Sequence, residues 1–350
     1  MNKKRKLIIF LSVMVMLMIY LIQNHFENTY VQVNFPVNLK WTKALDSSII
    51  SLSTANNNMV IARTISTLYG IDSKTGRNLW QHKFSWQLGA EPPVTKNGVV
   101  YATDKDTIWA LNQMSGAVLW SQHISSTSWV TDASKDILTV QMGEYIKAYD
   151  AITGELKWSE PTCRGNAKAY IGNYDVFFPC SGIKAINITT GNLSWREKQD
   201  NWRGGYVDYS DNVIYYSPSP SNIVAFDLQT KLVLWNQPAK INGIVRLQVI
   251  GTSLFVYDGS RVCRFQKNSG SLLWCFNILS PQNPVLLGNV IYIFNGSQDE
   301  IYALDLSTGH EIGKLTINNF NYFIVYRLLM ATTEDSLLFA SQNEVFMFEK

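Results

Sequence analysis

Ile146-Lys-Ala-Tyr-Asp150-Ala-Ile-Thr153-Gly154-Glu-Leu-Lys-Trp158 is one copy of a phrase that recurs along this chain. Other copies run from Leu68 to Trp80, Ile108 to Trp120, Ile183 to Trp195, Ile223 to Trp235 and Val262 to Trp274. A seventh begins at Ile301 and has Gly313 where the tryptophan belongs. The tryptophans stand 37–40 residues apart. A fixed period of that size marks one supersecondary unit stacked many times.

Each copy predicts a hairpin. The run up to Asp or Asn alternates and is rich in aliphatic and aromatic residues, as a half-buried strand should be. Asp-x-x-Thr-Gly then reverses the chain. The Asp or Asn side chain accepts hydrogen bonds from turn N–H groups, and Gly supplies the positive φ that closes a type I turn with a bulge. The strand after the glycine carries the tryptophan. Lys231 stands where a glycine is expected, which predicts a mildly strained turn. Two further strand-like runs precede each hairpin, such as Gly98–Thr103 and Asn289–Phe294. Four antiparallel strands repeated at about 40 residues make a β-propeller blade.

The Asp-x-x-Thr-Gly-x-x-x-Trp phrase resembles the tryptophan docking motif of the PQQ (pyrroloquinoline-quinone) repeat family. The resemblance covers roughly residues 38–350, and the Gly-His and Trp-Asp signatures of WD40 repeats are absent. It implies that Trp41, Trp80, Trp120, Trp158, Trp195, Trp235 and Trp274 each pack against a neighbouring blade. Trp41 lies in phase before Trp80, so Asn38–Leu45 reads as the last strand of a blade. Arg327–Thr332, Ser336–Ser341 and Glu344–Glu349 supply three strands without a fourth. The N-terminal strand can complete that blade, and ring closure removes unpaired edges. The expected fold is all-β: an eight-bladed propeller of four-stranded antiparallel blades, preceded by one N-terminal transmembrane helix.

That helix is read from the N-terminus. Residues 1–6 form a basic tail, and Leu7–Ile22 contains no charge. Neither a small-x-small cleavage pattern nor a lipobox cysteine follows, the first cysteine being Cys163. The expectation is an uncleaved signal anchor over 7–23, a linker over 24–37 and the propeller over 38–350. The basic flank places the N-terminus in the cytoplasm and the propeller outside. Lys3, Lys4, Arg5 and Lys6 account for the formal charge of +3, so the exported part has no basic surface for nucleic acid.

Four cysteines suit an oxidising compartment. Cys263 and Cys275 fall opposite each other in one hairpin, and Cys163 and Cys180 flank another, so two disulfides are candidates beside the bland alternative of four small buried residues. Histidines are only His25, His82, His123 and His310, and no metal-ligand spacing is present.

The family resemblance also implies a choice of function. Quinoprotein dehydrogenases resemble this chain in having eight blades, but they carry a catalytic aspartate, a calcium site and often two adjacent cysteines over the quinone. Adjacent cysteines are absent here, and eight blades of about 39 residues leave little room for active-site insertions. No catalytic residue, PQQ site or calcium site is therefore assigned. The chain looks more like the compact, non-enzymatic scaffold members. The expected role is a membrane-anchored protein-interaction platform, with other envelope proteins, and glycans, as partners. A quinoprotein dehydrogenase and a glycan- or ligand-sensing ectodomain are the alternatives. Links between blades carry Trp86, Trp129, Trp202 with Arg203, and Phe320 with Tyr322. These residues either ring a binding face opposite the Thr-Gly turns or fill space between blades.

Overall fold

A computed structural model describes residues 30–349 apart from 34, 56–57, 85–91, 105, 125–127, 163–167, 181, 199–206, 220, 242–245 and 318–328. Eight antiparallel sheets follow one another along the chain. Blades 1 to 7 span residues 49–83, 94–123, 128–161, 170–198, 207–238, 246–277 and 281–317. Blade 8 takes Leu329–Thr332, Ser336–Ser341 and Glu344–Glu349 from the C-terminus, and its fourth strand, Asn38–Ala44, from the N-terminus. Trp41 pairs with Met347 in that closing register. First strands of neighbouring blades contact one another around the axis, and the cores lie between blades. Second strands such as Ile137–Met142 and Ser336–Ser341 are buried along their whole length, because both their faces meet a neighbouring sheet.

The phrase folds as its chemistry dictates. In blade 1, Gly76 adopts φ 69 and its N–H donates to the Asp72 carbonyl at 2.9 Å. The Asp72 carboxylate accepts from the Thr75 N–H and hydroxyl, both at 2.8 Å. A register shift between Gly70 and Ile71 marks the accompanying bulge. Asn112 makes the same turn with Ser115, so a side-chain oxygen is the requirement and its charge is not.

Within residues 24–37, Tyr30–Val33 forms a fifth strand on blade 7, pairing antiparallel with its outer strand from Ile317 to Lys314. Phe35 and Val37 then enter the core between blades 7 and 8. Phe35 packs edge-on against Tyr292 at 5.6 Å and Phe348 at 6.1 Å. This explains Gly313. Blade 8 closes with a separate chain segment and has no Thr-Gly turn for a blade 7 tryptophan to dock on, so Phe35 fills that space. Cys263 and Cys275 lie in register and form a disulfide. Cys180 is also disulfide-bonded, and Cys163 lies outside the described residues. So does the stretch 7–23. Among the described residues, no helix is long and apolar enough to cross a membrane.

Candidate interaction surfaces

Two concentric rings of fasteners set the geometry of every surface. The outer ring is indole on turn. The Trp41, Trp80, Trp120, Trp158, Trp235 and Trp274 indole N–H groups donate to the next blade's carbonyls of Ser73, Gln113, Ala151, Ile188, Lys267 and Leu306, at 2.7–3.1 Å. Each acceptor follows the turn Asp, Asn or Gln. Each ring also lies against the turn glycine of that blade, where a Cβ would come within 2.6–2.9 Å of it. The glycine therefore has two functions: it takes the positive φ, and it presents a bare Cα as a stacking surface.

The inner ring is polar and joins first and second strands. Around it, the Thr54 hydroxyl donates to the Thr332 carbonyl at 2.9 Å and the Arg63 guanidinium to the Thr103 carbonyl at 2.6 Å. The Thr103 hydroxyl reaches the Ser128 carbonyl, and the Asp132 carboxylate accepts from the Ile171 N–H, both at 2.8 Å. The Tyr170 hydroxyl donates to the Val207 carbonyl, and Asp208 accepts from the Val249 N–H at 2.7 Å. Burial pushes the Asp132 and Asp208 carboxyls up and outweighs the amides that they accept. It pushes the Arg63 guanidinium down to about 10, against the pull of Asp104. These groups act as inter-blade clips.

Trp195 breaks the outer ring. Its indole N–H turns back to the Asp175 carboxylate of its own blade, at 3.0 Å, instead of reaching the Leu228 carbonyl across the junction. The cause is Lys231. It keeps the turn, at φ 62, with its N–H 3.0 Å from the Asp227 carbonyl, but it brings a Cβ to the position where, at the glycine turns, an added Cβ would collide with the docked indole. Its ammonium lies 4.1 Å from the Trp195 ring centroid. A cleft of about 400 Å³ opens at this junction, lined by Gly172, Asn173, Tyr174, Asp175, Asn212, Leu228, Gln229 and Lys231. These residues belong to the turns between first and second strands and between third and fourth strands, so the cleft opens on the Thr-Gly face.

The outer rim is the third surface. In blades 1 to 7 the outermost strand turns aliphatic side chains to solvent, among them Leu79, Leu119, Leu156, Leu193, Leu234 and Leu273. Those strands are also sheet edges, except on blade 7, which Tyr30–Val33 covers.

Of the link aromatics, Trp129 is half-buried on the first strand of blade 3, opposite Gln141. Trp86, Trp202, Arg203, Phe320 and Tyr322 lie outside the described residues. Lys231 in place of the turn glycine is the one sign of the cleft that is visible in the sequence.

The repeat, its turn and its docked indole are features that can be set beside known proteins. The PQQ_2 family model, described as outer membrane protein assembly factor BamB, matches residues 64–274 and again 180–321. The chain belongs to this family of PQQ-like propellers. Among sequence relatives, BamB of Shewanella oneidensis is 23% identical over 288 residues, covering 78% of this chain and 64% of that protein. The quinoprotein alcohol dehydrogenase PedH of Pseudomonas putida is 27% identical over 190 residues, 47% of this chain and 32% of PedH. The chain thus spans less than two thirds of the length of either relative. The crystal structure of BamB from Moraxella catarrhalis superposes with a TM-score of 0.68 at 18% identity, covering 90% of this chain and all of that one. A quinohemoprotein alcohol dehydrogenase from Comamonas testosteroni gives the same TM-score at 11% identity, covering 89% and 76%. At these identities the likeness is one of fold.

The inner-wall carboxylates Asp132 and Asp208 are tied to backbone amides, and burial raises both above the ordinary carboxylate range. Among the described residues, no three His, Cys, Asp or Glu side chains are grouped to hold a metal ion.

Proposed function

We propose that this propeller is a non-catalytic platform that binds extended segments of other cell-envelope proteins along its outer rim, without PQQ or calcium. The observation that carries this reading is blade 7, whose outer edge already holds an added strand, Tyr30–Val33. The outer strands of blades 1 to 6 present the same kind of edge with exposed aliphatics. Strand addition uses main-chain hydrogen bonds for affinity and alternate side-chain contacts for selectivity, and exposed apolar rows commonly mark interaction sites. A location outside the cytoplasm is supported by the Cys263–Cys275 disulfide. In this reading, residues 7–23 anchor the chain and Tyr30–Val33 fixes the tether to the ring.

Site-specific photocrosslinking tests it. A photoreactive residue at Leu119 or Leu234, in the full chain in membranes, is expected to give discrete adducts that Val118→Lys and Val233→Lys, on the same two strands, respectively suppress. Crosslinking no stronger than at the exposed turn residue Ile152 would reject the rim. A spectral change on adding PQQ and calcium, accompanied by alcohol oxidation, would establish the quinoprotein alternative instead.

A further inference from the structure

The cleft between blades 4 and 5 exists because one junction departs from the rule that the others follow. Lys231 blocks the seat of Trp195, Trp195 swings onto Asp175, and the Leu228 carbonyl receives no indole. An indole from another protein would meet the same obstacle, since a side chain at the glycine position collides with a stacked ring. The opening is therefore not simply a vacant tryptophan seat.

Its lining indicates what it can hold. The Lys231 ammonium faces two carboxylates, Asp175 and Asp227, and the Asp175 carboxylate already accepts from Trp195 and from the Ser194 hydroxyl at 2.6 Å. An anion gains no net counter-charge there, and a cation would meet the Lys231 ammonium and a carboxylate that already accepts two hydrogen bonds. Asn173, Asn212 and Gln229 bring amides, which both donate and accept, and the Leu228 carbonyl accepts. Tyr174 is 79% exposed and offers an aromatic face at the mouth. A volume of about 400 Å³ lies within the range of about 300–1,000 Å³ usual for small-molecule sites. Planar amides beside an aromatic face suit a neutral ligand that has hydroxyl groups on its edge and C–H bonds on its flat side. We propose that the cleft lined by Asn173, Tyr174, Asp175, Asn212, Gln229 and Lys231 binds a neutral saccharide, with the Tyr174 ring against the sugar face.

This site is on the Thr-Gly face, separate from the rim, so its test does not depend on the platform reading. Isothermal titration and saturation-transfer NMR of the full chain in detergent would use maltotriose, cellotriose and triacetylchitotriose as probes. Saturable binding of at least one is expected. Tyr174→Ala, at an exposed position, should weaken it about tenfold, the loss that follows from removing one aromatic contact. Lys231→Gly should abolish it in a folded protein, because Trp195 can then cross to Leu228 and fill the cleft. Absence of saturable binding by all three saccharides overturns the proposal. So does binding that both variants retain at full strength, or a Tyr174-dependent response to a tryptophan-containing peptide with none to saccharides.

Discussion

The Lys231 ammonium rests 4.1 Å from the centroid of the Trp195 ring, and this contact marks the one junction among those described where a turn residue displaces the tryptophan that should dock on it. Cause and effect lie 36 residues apart in the chain but touch in space. The lysine holds φ 62, a left-handed conformation that costs a side-chain-bearing residue on the order of 1 kcal/mol or more. Its contact with the indole offsets about 0.5–1 kcal/mol of that cost.

Lys231→Gly should therefore stabilise the propeller. The strain disappears and Trp195 exchanges its bond to Asp175 for one to Leu228 together with a stacked seat between blades, while the lost lysine contact and the unfolded-state entropy of the added glycine lower the gain. A net gain below about 1 kcal/mol is expected, read as a higher urea midpoint with an unchanged slope. A midpoint that stays put or falls would show that the lysine contact outweighs docking.

The two tryptophans on either side of this break predict unequal costs. Trp158 is 8% exposed, donates to Ile188 across its junction at 2.9 Å and lies against Gly191. Trp158→Ala should cost about 3–5 kcal/mol, as for large aromatic truncations. Trp195→Ala removes a half-buried ring bonded within its own blade, and should cost less than half as much. Denaturation of the two variants side by side decides the matter. Equal losses would mean that burial within a blade, rather than docking between blades, sets the value of the indole.

The fold was legible because the repeat writes its geometry into residue type. Asp or Asn, then Thr and Gly, define one turn, and the phase of Trp41 located the closing strand. Gly313 was legible only as an absence. Its reason required seeing Phe35 against Tyr292 and the missing turn of blade 8. The cleft was less legible still. A lysine in place of glycine announces strain at its own position, but no local pattern says that the same Cα is the stacking surface for a tryptophan one blade earlier. The rim edge covered by Tyr30–Val33 was hidden for a similar reason: the four residues Tyr-Val-Gln-Val are too short a run for their periodicity to reveal a partner almost 300 residues away.

The turn carboxylates also set a pH dependence, and Asp150 allows it to be isolated. The Lys157 ammonium, 2.9 Å away, and the Thr153 and Ile152 N–H groups hold the Asp150 carboxyl down at about 2, below its ordinary 3.8. A carboxyl lowered on folding contributes stability that is present above its unfolded value and lost as pH falls toward the folded one. Asp150→Asn should keep the turn, because Asn112 and Asn187 make equivalent bonds elsewhere in the ring. It loses only the partly exposed pair with Lys157, so the cost at neutral pH should stay below about 1 kcal/mol. That difference between the two proteins should shrink as pH falls from about 4 to about 2. Buried Asp132 and Asp208 shift in the opposite sense, but they are common to both proteins and cancel in the comparison. Urea midpoints measured in parallel across that window provide the check. A gap that stays constant with pH would show that Asp150 acts through turn geometry alone and that its charge contributes nothing.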